Sequence, residues 1–256
     1  MIPRLYIDMP ITPGAVLPLT TEQAHYLRNV LRRAEGDPLC LFNGRDGEFA
    51  AKIGELKKRG GVAIAAEQSR DQVIEPDLTL YFAPVKRGPL EMILQKGTEI
   101  GVARFVPVLT ERTIAPKLNL DRLQAIVTEA AEQCERMSVP SVDEPVKFPK
   151  LIEGWPPSKR LLFCDEAGDE PQEEWGGREG RALPMLEALK KLDSKTNEWG
   201  VLTGPEGGFS PDERATLRAQ SFVTPATLGP RILRADTAAI AALTLWQAAI
   251  GDWQTR

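Results

Sequence analysis

Two glycine-rich turns, about 25 residues apart, carry the residues of this sequence best suited to binding a ligand. Residues 204–208 read Gly-Pro-Glu-Gly-Gly, and residues 228–234 read Leu-Gly-Pro-Arg-Ile-Leu-Arg, each after an apolar run. Glycines leave backbone N–H and C=O groups uncovered, so a ligand can approach the main chain closely. In an open α/β sheet, ligands bind outside the carboxyl ends of the strands, where such turns lie. Either turn alone is more often a tight connection, but together they predict two walls of one pocket.

The elements around these turns indicate a parallel sheet. Apolar runs at 78–83, 104–109, 160–164, 199–203 and 222–228 alternate with helical patterns at 90–100, 120–137, 183–192 and 235–253. Strands that alternate with helices imply parallel pairing with crossovers. Ser210, Pro211 and Glu213 form a typical capping box, which predicts a helix after the first turn. Short strands with Asn-Gly and Asp-Gly turns fill the first seventy residues and predict a small barrel.

Composition narrows the function classes. The chain has 256 residues, of which 42% are hydrophobic, and no apolar run approaches the roughly 20 residues of a membrane span. The three cysteines are far apart and show no metal-ligand spacing, which favours a reducing, cytoplasmic setting without a metal. His25 is the only histidine, so no mechanism can use two. No Gly-x4-Gly-Lys-Ser/Thr motif is present, which disfavours a nucleotide-phosphate enzyme.

The charge is unevenly distributed. The net charge is −4, yet residues 165–179 alone contribute −6, so the rest of the chain is net positive. The total therefore neither supports nor excludes an RNA partner. With Pro171 and the pair Gly176-Gly177, the acidic segment is typical of an exposed loop, and we assign it no chemistry.

Several segments resemble the RsmE family. They are Gly-Pro-Glu-Gly-Gly-Phe-Ser at 204–210, Leu-Gly-x-Arg-Ile-Leu-Arg at 228–234 with Asp-Thr-Ala at 236–238, Gln-Lys-Gly-Thr-Glu-Ile-Gly-Val at 95–102, Glu-Ala-Ala-Glu-Gln-Cys-Glu-Arg at 129–136, and His-Tyr-Leu-Arg-Asn-Val-Leu-Arg at 25–32. They occur in family order and span nearly the whole chain. Together they are highly specific, although none is specific alone.

The resemblance implies both fold and activity. We expect an α/β protein: a PUA-like, RNA-binding β-barrel at residues 1–72, then a SPOUT-type methyltransferase domain at 73–256 with a trefoil-knotted parallel sheet and helices on both faces. The implied activity is S-adenosylmethionine (SAM)-dependent methylation of N3 of a uridine in 16S (small-subunit) ribosomal RNA. The resemblance also implies a homodimer. The alternatives are an RNA-binding module of the same fold without catalysis, and a SPOUT methyltransferase with another RNA target.

The turns supply the expected site residues. Methylation at N3 requires loss of the N3 proton, for which a general base near the nitrogen would serve. We expect catalytic roles for Glu206 and Arg234, with a turn cap and an ion pair as their alternative roles. Asp236 stands where the family usually has glutamate, and its shorter side chain weakens any role as the base. The predicted cofactor contacts are Leu202, Thr203, Gly204, Pro205, Glu206, Gly207, Gly208, Leu228, Gly229, Ile232, Leu233 and Arg234.

Basic residues outside the turns are the predicted RNA contacts. A helix that Thr21 can cap places Arg28 and Arg32 four residues apart on one face, with Arg33 beyond. Lys96 lies on a second helix. Because most exposed arginines only form a solvated helix edge, the RNA role of these four residues rests on the resemblance.

Overall fold

The computed structural model describes residues 2–114, 117–170, 172–192 and 198–254, which form two compact units. The first contains the chain up to Ile74 together with Thr128–Val139. The second contains Glu75–Val127 and the chain from Pro140 onward.

The first unit is built on a five-stranded sheet. Its elements are β1 (Arg4–Tyr6), β2 (Val16–Leu19), α1 (Thr21–His25), β3 (Pro38–Phe42), β4 (Glu48–Lys57) and β5 (Gly60–Arg70). The strand order is β1-β3-β4-β5-β2; β1 and β3 are parallel and the other pairs antiparallel. Alternate strand residues such as Leu39, Leu41 and Ile53 point into one core, as the period of two requires. The predicted small β domain at the amino terminus is confirmed.

The helix of this unit differs from the prediction. Its cap is Thr20 rather than Thr21: the Thr20 hydroxyl accepts from the Gln23 N–H, and the Gln23 side chain accepts from the Thr20 N–H. After α1 the chain continues as a π-helical turn, Tyr26–Val30, and Arg32 then has a left-handed φ of 54°. The prediction that Arg28 and Arg32 share a helix face is therefore wrong, because the helix ends between them.

The second unit contains a parallel sheet with crossover helices. Its elements are β6 (Asp77–Phe82), α2 (Arg87–Ile100), β7 (Arg104–Leu109), α3 (Leu120–Gln133, which ends in the first unit), β8 (Ser141–Val142), β9 (Val146–Lys147), α4 (Phe148–Glu153), β10 (Arg160–Cys164), α5 (Met185–Lys190), β11 (Glu198–Thr203), α6 (Pro211–Arg218), β12 (Val223–Ala226) and α7 (Ala235–Ile250). The strand order is β12-β10-β11-β6-β7-β8, β9 also pairs with β7, and every pair is parallel.

Burial explains why these runs form a parallel sheet. Central residues such as Leu80, Leu162 and Val201 are fully buried, as expected for strands covered on both faces. The carboxyl ends of β10, β11 and β12 lie side by side, so the loops that follow them meet at one edge. The predicted parallel sheet with crossovers is confirmed.

Some helix limits differ from the predictions. The helix predicted at 183–192 is only Met185–Lys190, and the last helix ends at Ile250, with a 3₁₀ turn at Asp252–Gln254 instead of continuing to Trp253. Among the described residues, no helix combines the length and apolarity that crossing a membrane would require.

Candidate functional site

A cavity of about 600 Å³ lies at the carboxyl ends of β10 and β11 in the second unit. The glycine turn after β11, the acidic segment after β10 and the start of α7 contribute to its walls. The cavity lies where ligands bind in open α/β sheets. Its volume falls within the range of about 300–1,000 Å³ typical of small-molecule sites.

The first glycine turn is shaped by its neighbours. At Gly204 an added Cβ would lie 2.7 Å from the Phe209 ring. Gly208 has a φ of 68°, and a Cβ there would lie 2.9 Å from the Trp175 ring. A side chain at either position would require movement of an aromatic ring, so the packing of Phe209 and Trp175 against the turn requires glycine at both positions.

The second turn is held by a carboxylate from the acidic segment. Glu166 accepts hydrogen bonds from the Leu228 N–H and the Thr227 hydroxyl, both at 2.8 Å. Burial raises the pKa of Glu166 despite these two donors. Beyond this contact, Ile232 and Leu233 form an apolar part of the cavity wall.

The acidic segment is a loop, as predicted, but it forms a wall of the cavity, and the prediction that it is exposed is wrong for Asp165 and Gly168, which are buried. Asp165 is only 2% exposed, and Glu166, Gly168 and Trp175 also line the cavity. The Gly168 N–H donates to the Trp175 carbonyl at 2.9 Å, which folds the segment back on itself. Trp175 has a left-handed φ of 55°, a strained conformation of the kind that concentrates at functional sites. Pro171 lies outside the described residues.

Two arginines of α6 hold this segment in place. Asp165 accepts from Arg214 Nε at 2.8 Å and from Arg218 Nε at 2.7 Å. Arg214 also donates to the Gly168 carbonyl at 3.0 Å, and both arginines contact Asp169. Because the two arginines are one helical turn apart, they bind the same carboxylate from one face of α6.

A third arginine reaches the cavity from the loop after β7. Arg112 Nη1 donates to the Gly207 carbonyl at 3.0 Å. The preceding residue is anchored to α6, because the Glu111 N–H donates to Glu213 Oε1 at 2.8 Å. Glu213 Oε2 accepts the Ser210 N–H at 3.0 Å and so completes the predicted capping box. A single buried carboxylate thus joins the loop after β7 to the loop after β11.

Comparisons with family models and with known proteins point to the same family of RNA methyltransferases. A family model described as an RNA methyltransferase domain matches residues 73–247, and one described as an RNA methyltransferase PUA domain matches residues 19–64. Proteins named ribosomal RNA small subunit methyltransferase E are 36% identical in a Synechocystis species and 30% identical in Rickettsia conorii. The match to the Synechocystis protein covers 90% of this chain and 72% of that protein. The match to the Rickettsia conorii protein covers 94% of this chain and 93% of that protein.

The chain belongs to this methyltransferase family. A solved family member, the ribosomal RNA small subunit methyltransferase E of Neisseria gonorrhoeae bound to S-adenosyl methionine, superposes with a TM-score of 0.84. It is 26% identical, and the match covers 99% of this chain and 100% of that one. The family's RNA methyltransferase domain therefore contains the cavity.

The structure brings together part of the predicted cofactor set. Seven of these residues line the cavity: Thr203, Gly204, Pro205, Glu206, Gly208, Ile232 and Leu233. Leu202 is fully buried in the sheet, and Leu228 bonds Glu166 through its N–H. Gly207 and Arg234 adjoin lining residues in the chain, Gly229 accepts a hydrogen bond from the Thr227 hydroxyl, and Arg234 is the exposed N-cap residue of α7.

The predicted RNA contacts belong to different units. Arg28 and Arg32 are exposed in the first unit, where Arg33 is half-buried. Lys96 belongs to the second unit, and its ammonium contacts Glu99 Oε1 at 2.7 Å on the same helix. Its charge is therefore already compensated locally.

Sequence reasoning missed Arg112, Trp175 and the carboxylates of the acidic segment. Their sequence signals were weak, since a charged run usually marks a solvated loop. Within 2–114, 117–170, 172–192 and 198–254, no three His, Cys, Asp or Glu residues are grouped to hold a metal ion.

Proposed function

We propose that this protein transfers the methyl group of SAM to N3 of a uridine in 16S ribosomal RNA. The observation that carries the proposal is the cavity beside the glycine-rich turn at the edge of the parallel sheet, in a chain of this methyltransferase family. The relatives' names specify small-subunit ribosomal RNA as the molecule they methylate. The resemblance of the sequence motifs to the RsmE family implies the N3 position.

The residues present fit SAM as the cofactor. Gly204 and Gly208 belong to the turn that lines the cavity, and Ile232 and Leu233 offer an apolar surface to the adenine ring. SAM supplies an electrophilic methyl group on a positively charged sulfonium. The described lining residues include six carboxylates and three arginines, an excess of negative charge that favours a cationic ligand. In this proposal Leu202, Gly207, Leu228, Gly229 and Arg234 support the cofactor-contacting turns.

Glu206 is the proposed general base. It lies on the exposed rim of the cavity, and no other described residue binds its carboxylate. Most other cavity carboxylates are used internally: Asp165 and Asp169 bind arginines, and Glu166 holds the second turn. A rim carboxylate without a partner can accept the N3 proton from a uracil presented at the mouth. Arg234, exposed at the start of α7, would stabilise negative charge on the uracil oxygens.

Further parts of the proposal concern the whole protein. Residues 1–72 would bind RNA through Arg28, Arg32 and Arg33. Residues 73–256 would form the catalytic domain, in which Lys96 would add an RNA contact. We also propose a homodimer, a trefoil knot in the catalytic domain and a cytoplasmic location. The motifs that match the family support these assignments.

Transfer of a labelled methyl group from SAM tests the proposal. The substrate is small ribosomal subunits from a strain lacking the enzyme, with subunits from the parent strain as the already methylated control. We expect about one methyl group per unmodified subunit, at uridine N3. SAM binding without methylation of these subunits would refute the proposed reaction, absence of SAM binding would instead favour an RNA-binding module, and methylation of another RNA would favour a different target.

A further inference from the structure

We infer that Arg112 binds a phosphate group of the RNA substrate at the rim of the cavity. This inference rests on the proposed function and assigns to Arg112 a role in holding the RNA.

The other arginines of the cavity are already used. Arg214 donates to Asp165 and to the carbonyls of Ala167 and Gly168, while Arg218 donates to Asp165, Asp169 and the Gly180 carbonyl. Of the described lining residues, Arg112 is the cation that donates from only one of its three nitrogens, whereas Arg214 and Arg218 each donate from all three.

The free donors of Arg112 form a binding edge. Nη1 is held by the Gly207 carbonyl at 3.0 Å, and no described residue accepts from Nε or Nη2. These two nitrogens lie on one edge of the planar guanidinium, which can bind two phosphate oxygens with parallel hydrogen bonds.

The turn under Arg112 is built to hold its position. The Thr110 N–H donates to Thr113 Oγ1 at 3.0 Å, and the Thr113 N–H donates back to the Thr110 carbonyl at 3.2 Å. Together with the bond from Glu111 to Glu213, these contacts fix both ends of the turn. Arg112 therefore needs little ordering when it binds, which lowers the entropic cost of the contact.

The residues on the floor of the cavity are buried and those at its rim are exposed. This difference favours an RNA phosphate as the ligand of Arg112. Thr203, Cys164 and Asp165 are buried on the floor, whereas Arg112 and Glu206 are exposed. An RNA chain is too large to enter a cavity of about 600 Å³, so its backbone must be met at the rim. The other exposed charged residues of the lining are all acidic and would repel RNA: Asp169, Glu173 and Glu206. Arg112 is the rim group that can offset this repulsion.

The test compares Arg112→Ala and Arg112→Lys with wild type and with the control Arg160→Ala. Arg160 also donates one hydrogen bond, from Nη1 to the Ser221 carbonyl at 3.1 Å, but lies at the amino end of β10. The measurements are KM for unmodified small subunits and Kd for S-adenosylhomocysteine (SAH), the demethylated cofactor. We expect Arg112→Ala to raise KM at least tenfold and to change Kd less than twofold. Arg112→Lys should be intermediate, because it keeps the charge and loses the two-pronged geometry, and Arg160→Ala should match wild type.

Two results would overturn the inference. A weaker Kd with unchanged KM would mean that Arg112 binds the carboxylate of the cofactor, and no change in either would mean that it binds neither ligand. A wild-type protein that methylates no subunit would refute the proposed function itself, and this is seen before any variant is compared.

Discussion

Asp165→Asn tests whether the acidic segment is held as a wall of the cofactor cavity. Asp165 is 2% exposed, and the side chains of its partners Arg214 and Arg218 are 14% and 27% exposed, so water screens the interaction weakly. Asparagine keeps one acceptor oxygen but loses the negative charge, and its amide would place donors against two guanidinium groups. Breaking a buried pair on one side costs about 3–5 kcal/mol. Because Asp169 remains as a partial partner, we expect the lower end, about 3 kcal/mol.

A loss of about 3 kcal/mol corresponds to a factor of roughly 100 in an equilibrium constant. If the whole loss falls on local order of the segment, SAH affinity should drop by up to this factor. Urea unfolding and calorimetric titration measure the two quantities. Asp8→Asn is the control, because Asp8 pairs with Arg45 on the surface, with exposures of 73% and 55%, and such pairs contribute under about 1 kcal/mol. An Asp165→Asn protein with unchanged stability and unchanged SAH affinity would refute the assigned role of this ion-pair network.

Three further substitutions test other parts of the account. Gly208→Ala should weaken SAH binding about tenfold and lower the free energy of unfolding by about 1–2 kcal/mol, because it strains a left-handed residue and displaces the Trp175 ring. The control is Gly207→Ala, whose added Cβ has only ordinary contacts at 3.7 Å. Its SAH affinity, measured by calorimetry, should match that of wild type. Glu206→Gln should lower kcat at least 100-fold at unchanged SAH affinity if Glu206 is the base; unchanged kcat would exclude it. Burial raises the pKa of Glu132 to about 7 from 4.5. As the pH rises, Glu132 therefore loses its proton in the unfolded chain before it does so in the folded protein, and stability falls between about pH 4.5 and 7. Glu132→Gln can keep the hydrogen bond from the Tyr6 N–H. This variant should remove the fall in stability and raise the free energy of unfolding at pH 8 by up to about 3 kcal/mol. Urea titrations that show the same pH dependence in both proteins would contradict this.

Local patterns predicted the parallel sheet and the capping box of α6 because short-range physics determines them. The strand at 104–109 has the predicted limits, since a run that is apolar on both faces can only be buried in a covered sheet. Ser210 and Glu213 form the predicted capping box because its partners are three residues apart.

Two of the three features that the sequence did not predict depend on residues far apart in the chain. The acidic segment is ordered by arginines 49 and 53 positions away from Asp165, and no local pattern reveals that pairing. Arg112 is placed by a bond between Glu111 and Glu213, 102 positions apart. The π-helical turn at Tyr26–Val30 shifts the hydrogen-bonding register within a run that has ordinary helical composition. The parts of the cavity wall formed by the acidic segment and by Arg112 could therefore not be predicted from neighbouring residues.

The most direct test of the central claim is the position of SAH in a crystal of the wild-type protein. The account predicts density between residues 204–208 and Ile232-Leu233, with the acidic segment as the facing wall. Density at any other place, or an empty cavity at saturating SAH, would contradict it.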